Sequence, residues 1–295
     1  MIIGNKTFVP GHTYIMGILN VTPDSFSDGG KYSKPDTALK HIEDMIKDGA
    51  DIIDIGGEST RPGYERISEQ DEIERIAPVL EAAVQRFDIP LSVDTYKPEV
   101  AKEAIKLGAH LINDIWGLKG ENLSVPDSGM AKIIAESGAA CCIMHNRNLE
   151  RNSVPIYSEN LAVLKDDKSL SGETLTGSSA IVIQELRESL DLALKAGIDN
   201  ERILLDPGIG FGKTYEDNIN VLKDLNKIVK AFDYPMLLGT SKKSVIGLTL
   251  NLDKSERTEG TLATTARAVE SGCMFVRVHD VKENARFIKM YEAIL

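Results

Sequence analysis

The chain has 295 residues, 42% of them hydrophobic, and a formal net charge of −11. That charge argues against a general nucleic-acid or anionic-membrane surface, yet leaves room for a locally positive pocket that takes a small anion. No apolar run reaches the roughly 18–20 residues a membrane span needs, and residues 1–10 show no signal-peptide pattern, so the expected setting is cytoplasmic.

Residues 2–9 read as a short strand leading into the Pro10-Gly11 turn. A first buried strand over 14–19 empties into the polar loop Asn20-Val21-Thr22-Pro23-Asp24-Ser25-Phe26-Ser27-Asp28-Gly29-Gly30. Helical spacing follows over 35–48, with Ala38, Ile42, Met45 and Ile46 on one face and Gly49 placed to stop it. Strand two covers 52–55. Ser68 opens the next helix, with Asp71 at a capping-box-like position and a stripe of Ile73, Ile76, Ala77, Leu80 and Val84. Strand three covers 91–93, a helix starts at Pro98, strand four covers 111–113, a short helix covers 129–137, and strand five covers 140–144. Cys141 and Cys142 are adjacent in that strand; three cysteines in all make no disulfide framework and read as buried reduced thiols.

The rhythm then breaks in a polar connection over 146–179, rich in Ser, Thr, Gly and acidic residues. It resumes as a helix over 181–196, strand six at 203–205, a helix over 218–232, strand seven at 236–238, a small-residue helix over 259–271, strand eight at 275–278 and a closing helix over 282–295. Eight short apolar strands alternating with eight helices predict an α/β fold. It would be a single (β/α)8 TIM barrel over 1–295, with a short N-terminal strand or hairpin and a long insertion after strand five. An open doubly wound sheet would want a glycine-rich dinucleotide fingerprint after strand one, where the chain has Asn20-Val21-Thr22-Pro23.

In such a barrel the strand C-termini build the site. The rim then collects Asn20, Asp54, Glu58, Asp94, Asn113, Asp114, His145, Asp206, Lys243, Arg277 and His279. A single Asp after a strand is often a helix cap and a single His often structural. Polar residues after nearly every strand ask for more. Asp94, Asn113, Asp206 and Lys243 offer the acceptors and donors that read the edge of a flat nitrogen heterocycle. Asn20, Arg277 and His279 suit a polyanion with a divalent metal. Residues 239–244, before a possible helix start, suit a carboxylate or phosphate. The run 208–213 lacks P-loop spacing and reads as a flexible loop framing a pocket, with Phe211 as a wall. No Cys or His pair has zinc-ligand spacing.

The blocks 16–30, 51–63, 92–97, 112–117, 144–147, 204–213, 238–247, 256–263 and 276–281 together resemble dihydropteroate synthases closely. The resemblance implies condensation of 6-hydroxymethyl-7,8-dihydropterin pyrophosphate with p-aminobenzoate, giving 7,8-dihydropteroate and pyrophosphate for folate synthesis. It implies an SN1-like course in which C–O cleavage precedes attack. Carried over by position, Asp94, Asn113, Asp206 and Lys243 would bind pterin between walls of Ile115, Met144 and Phe211. Asn20, Arg277 and His279 would hold pyrophosphate, Asn20 through Mg²⁺. Thr60, Arg61, Pro62, Lys243 and Ser244 would bind p-aminobenzoate. Phe26 and Asp28, with Arg61, would close over the site and exclude water. Sulfonamides would compete with p-aminobenzoate, and a homodimer is the family expectation. A pterin-barrel methyltransferase with a corrinoid partner would not need Thr60-Arg61-Pro62 or Phe26, and a silent pterin-binding homologue should have lost one of the two loops. Two departures stand out: the family usually has Arg where this chain has Lys242, and the 146–179 connection is longer than expected.

Overall fold

The computed structural model describes residues 1–22, 34–58, 66–120, 129–147, 163–164 and 175–295. Two short strands, β1 (Ile2–Ile3) and β2 (Lys6–Thr7), form an antiparallel hairpin. The chain continues through β3 (Tyr14–Asn20), β4 (Ile52–Gly56), β5 (Leu91–Asp94), β6 (Leu111–Asp114) and β7 (Ala140–Met144). A small antiparallel pair, β8 (Val163–Leu164) with β9 (Leu175–Thr176), precedes β10 (Ile203–Asp206), β11 (Leu237–Leu238) and β12 (Phe275–Val278). Eight of these strands, β3 to β7 and β10 to β12, form one parallel sheet in chain order, and β12 pairs back onto β3. A single parallel bridge, Leu205 to Met236, closes the remaining seam between β10 and the start of β11. The barrel expected from the alternation is present.

The helices are α1 (Lys34–Asp48), α2 (Glu69–Arg86), α3 (Pro98–Lys106), α4 (Met130–Ser137), α5 (Gly177–Ala196), α6 (Tyr215–Lys223), α7 (Leu225–Lys230), α8 (Ser244–Leu250), α9 (Thr258–Ser271) and α10 (Val281–Glu292). Three expectations need correction. The helix expected over 218–232 is two helices that meet at Asp224, whose carbonyl accepts from Lys227 and Ile228. The first of them begins earlier because Thr214 and Asp217 form a reciprocal capping box. The connection expected over 146–179 is shorter at its end, since α5 already starts at Gly177. On α2 the buried face is Glu72, Ile76, Val79, Leu80 and Ala83, so the stripe is rotated away from Ala77 and Val84. Burial of Glu72, a charged residue on the core side, is what the apolar pattern could not display. The Ser68 cap is as expected, its hydroxyl accepting from the Asp71 amide at 3.0 Å.

Side chains alternate between the two faces of each strand. Ile15, Leu19, Ile53, Ile55 and Ile112 point outward into a large cluster beneath the helices. Met16, Ile52, Leu111, Leu204 and Phe275 point inward and pack with Ile3 and Phe8 of the hairpin. The hairpin therefore plugs the lower end of the barrel, the Phe8 and Phe275 rings lying 5.1 Å apart edge to face. Two residues further along the same faces come Asp54 after Ile52, Asn113 after Leu111, Asp206 after Leu204 and Arg277 after Phe275. An apolar floor thus carries a polar layer above it, one strand period higher.

Phe8→Ala removes a buried ring from that floor, and we expect a loss of about 3–4 kcal/mol of unfolding free energy in urea titration. A loss below about 1 kcal/mol would mean the hairpin is not a plug.

Candidate active site

Asp54 stands at the centre of the polar layer and is wholly buried. One of its oxygens accepts the Ser92 hydroxyl at 2.5 Å. The other accepts Asn113 Nδ2 at 3.2 Å and Arg277 Nε at 2.6 Å. Arg277 spends a second N–H on Asp94, Nη2 to Oδ2 at 2.6 Å. A guanidinium has five N–H hydrogens in a rigid fork, so Arg277 joins the two carboxylates and still has hydrogens for a ligand. Burial works against its charge, but Asp54 and Asp94 outweigh burial and raise its pKa further. Asp94 is pushed up to about 7, first by burial, with repulsion from Asp54 opposed by Arg277. Its Oδ1 is buried and has no hydrogen-bond partner among the described residues. Gly56 lies on the strand between Asn20 and Asp94, and a Cβ there would make ordinary contacts, 3.8 Å from Asn20 Oδ1 and 3.7 Å from Asp94 Cβ.

A cavity of about 270 Å³ opens above this layer. Asn20, Asp94, Phe211, Lys243, Ser244, Arg277 and His279 all line it. Lys243 donates to the Ile209 carbonyl at 2.5 Å, and its ammonium lies 4.6 Å from the centre of the Phe211 ring. Burial pushes Lys243 down to about 8, with Asp206 pulling the other way. Asp206 is also raised by burial, opposed by Lys243, and accepts the Gly208 amide at 2.7 Å. His279 is driven down to about 3 by burial and by Arg277, so the imidazole is neutral. Its Nδ1 lies 2.9 Å from the Ser241 hydroxyl, leaving Nε2 for the cavity. Phe211 packs against Ile115, Met144, Tyr96 and Trp116, which places all three expected apolar walls in one cluster.

The structure brings most of the sequence-derived residues together. Phe26 and Asp28 of the first loop, and Thr60, Arg61 and Pro62 of the second, lie outside the described residues. Asp114 turns away and accepts the Trp116 and Leu118 amides, each at 2.8 Å, bracing a turn. Glu58 is engaged by Lys97 at 2.5 Å, by the Tyr96 hydroxyl at 2.9 Å and by the Ile67 amide at 3.2 Å. Lys97 also reaches Glu72 at 2.7 Å, which explains why that glutamate is buried on α2. Lys242 has φ of 56° and forms an ion pair with Asp280 at 2.6 Å, so a salt bridge is made here without the Arg fork.

The run 208–213 is pinned, correcting the expectation of a flexible loop. A Cβ on Gly208 would stand 1.8 Å from the His145 carbonyl oxygen, and one on Gly212 would stand 2.0 Å from that of Arg147. The Gly210 amide donates to Asn218 at 2.7 Å, and Lys213 is buried against the loop's own carbonyls. Sequence reasoning gave no site role to Ser92, Arg257 or Lys213, and named Ser241 only within the 239–244 run. Arg257 lines the cavity and holds the Lys242 and Lys243 carbonyls at 3.0 and 3.3 Å. Ser92 had a usable signal, since it sits one period before Asp94 on the same inward face.

Comparison with known proteins gives the family. The profile described as "Pterin binding enzyme" matches residues 16–279. The chain is similar to dihydropteroate synthase of Clostridium beijerinckii, 50% identical over 297 residues, covering 100% of this chain and 99% of that protein. It is similar to the crystal structure of dihydropteroate synthase from Clostridium difficile with pteroic acid, with TM-score 0.82 and 44% identity over 98% of this chain and 99% of that one. A Xanthomonas albilineans dihydropteroate synthase structure with 4-aminobenzoic acid matches with TM-score 0.81 and 36% identity over 96% of this chain and 93% of that one. The chain belongs to the dihydropteroate synthase family, the pterin-binding transferases of folate biosynthesis.

Proposed function

We propose that this cavity joins 6-hydroxymethyl-7,8-dihydropterin pyrophosphate to p-aminobenzoate and releases pyrophosphate. The observation that carries the reading is the buried Oδ1 of Asp94, a cavity-lining residue, which has no hydrogen-bond partner among the described residues. Buried polar atoms are almost always paired, so an orphaned carboxylate oxygen asks for a donor or a cation from the ligand. A pterin supplies both, ring N–H groups in the bound state and positive charge at its methylene as the C–O bond breaks.

The charges fit that course. Asp54, Asp94 and Asp206 lie together at the cavity floor against Arg277, Lys243 and Lys213, so carboxylates stand where the pterin methylene would gain charge. Fixed carboxylates in a buried site favour a developing cation without reorganising. Asn113 is held by Asp54, and Lys243 by Ile209, so the pterin-reading groups are oriented before the ligand arrives. The arylamine of p-aminobenzoate is neutral near pH 7 and needs no strong base to attack. Ser244, at the start of α8, together with Thr60, Arg61 and Pro62, is assigned its carboxylate end, and Phe26 and Asp28 are assigned water exclusion.

The leaving pyrophosphate needs positive charge that the described residues provide only in part. Arg277 is shared with two carboxylates, Lys242 is paired with Asp280, and His279 is neutral. Among the described residues no three His, Cys, Asp or Glu groups form a metal cage. The Asn20 amide lines the cavity and makes no hydrogen bond to another described side chain. One neutral protein oxygen suits Mg²⁺ that is ligated mainly by phosphate and water. Such an ion would neutralise charge on the leaving group, with Asn20 as its protein ligand. Arg277 and His279 Nε2 would then donate to the pyrophosphate oxygens.

The reading places the enzyme in the cytoplasm as a homodimer. The three free, buried cysteines fit a reducing compartment. Leu248 and Leu250 on α8, both exposed, offer apolar surface to a second copy.

The direct test is pyrophosphate release with and without p-aminobenzoate, and no release in either case overturns the reading. Asp94→Asn should lower kcat about a hundredfold while changing the KM for the pterin substrate by less than about fivefold, because the charge acts on the cation. Equal losses in both would contradict that role. A pH profile of kcat/KM should be bell-shaped. Activity is lost as pH falls through about 7, where Asp94 gains a proton, and as pH rises through about 8, where Lys243 loses one. Asp94→Asn should erase the acid limb only.

A further inference from the structure

Behind the cavity wall lies a buried chain of charged groups that the reaction does not touch. Lys213 does not line the cavity. Its Nζ stands 2.8 Å from the Gly208 carbonyl, 3.1 Å from that of Phe211 and 2.7 Å from His145 Nδ1. His145 Nε2 lies 3.0 Å from a Glu185 oxygen, and Arg147 Nε reaches the same carboxylate at 2.7 Å. Burial opposes ionisation of Glu185, but His145 and Arg147 outweigh it and hold the carboxyl down at about 2. A carboxylate only accepts, so the imidazole N–H points to Glu185 and the Nδ1 lone pair faces Lys213. With the His145 carbonyl at 3.5 Å, four acceptors surround Nζ, and burial pushes the amine down to about 7.

Two of those acceptors are carbonyls of the loop that builds the cavity. The residue between them, Ile209, turns its own carbonyl to the Lys243 ammonium, and Phe211 places its ring beneath that same ammonium. The loop glycines allow this path: Gly208 has φ of 69°, Gly210 of 84° and Gly212 of 55°. Glycine removes the steric penalty of that path but adds no force to hold it. The Lys213 crown, with the Asn218 contact to Gly210, supplies the force.

We propose that Lys213 is a positioning residue for the pterin site: it fixes the 208–212 loop so that the Ile209 carbonyl and the Phe211 ring present Lys243 in reading position. This inference rests on the pterin assignment above and goes beyond it. It predicts a selective effect, because Lys213 acts through Phe211 and Lys243 and on Asp206 beside them, and among the described residues makes no hydrogen bond to Asn20, Arg277 or His279.

The test compares wild type, Lys213→Met, Phe211→Ala and the double variant in steady-state kinetics, with calorimetric binding of 6-hydroxymethylpterin in Mg²⁺ and pyrophosphate. Lys213→Met should raise the KM of the pterin substrate about tenfold and leave the KM of p-aminobenzoate within about twofold. In the Phe211→Ala background the same change should add less than about threefold, since the two residues act in series. A purely structural role would lower the active fraction with both KM values unchanged, and that result overturns the proposal, as does full multiplication of the two single effects. If Lys213→Met does not fold by circular dichroism, Lys213→Gln, which keeps two N–H groups on a side chain one bond shorter, should raise the KM of the pterin substrate less than tenfold while leaving that of p-aminobenzoate within about twofold, and equal changes in both overturn the proposal. Wild type that binds no pterin would sink the functional reading itself; wild type that binds while Lys213→Met binds equally well sinks only this inference.

Discussion

The site depends on one guanidinium shared by two carboxylates. Arg277 reaches Asp54 on one side and Asp94 on the other, each at 2.6 Å, inside the mouth of the barrel. Removing one member of such a buried set leaves the others uncompensated, a cost of about 3–5 kcal/mol. The arrangement therefore has to be built whole. β4, β6 and β12 each place a polar residue two positions above an apolar one on the barrel floor, and β5 contributes Ser92 and Asp94 on one inward face. The hairpin plug below seals that floor, so the polar layer is buried from beneath and open only toward the cavity.

From this layer outward the molecule divides its charges by function. Negative charge is concentrated at the centre, where a pterin methylene would become cationic. The cationic side chains are mostly already spent, Lys242 on Asp280, Arg257 on backbone carbonyls and Lys97 on two glutamates. The cavity lining itself carries more basic than acidic side chains, Lys242, Lys243, Lys254, Arg257 and Arg277 against Glu58 and Asp94, so the carboxylates act from the floor and the cations from the walls.

A second, outer set of buried charges serves geometry. Lys97 joins Glu58 and Glu72, and through the Ile67 carbonyl at 2.8 Å ties down the chain that follows the second loop. Lys213 with His145 and Glu185 does the same for the loop carrying Phe211. In both places a lysine satisfies several acceptors at once on neighbouring stretches of chain. These stretches lie next to the cavity, and hydrogen bonds to the two lysines add to the apolar contacts of Ile209 and Phe211 in holding them.

The sequence by itself determined the alternation of eight strands and their helices, and with it the barrel, because period-two and period-3.6 patterns are local and repeat. It also determined the chemistry present at each strand end: Asn20, Asp94, Asn113, Asp206, Lys243, Arg277 and His279 were all legible by position. Partnership was not legible. Whether Glu58 is held by a lysine, and whether the glycines of 208–212 make a loop loose or let it be pinned, depend on residues more than 30 positions away, while Asp114 is drawn into a turn by amides two and four residues on. Asp54 and Arg277 are 223 residues apart in the chain and bonded in space. Only the closing of the barrel brings them together, because the angle between strands is set by the whole ring and by no local stretch of sequence.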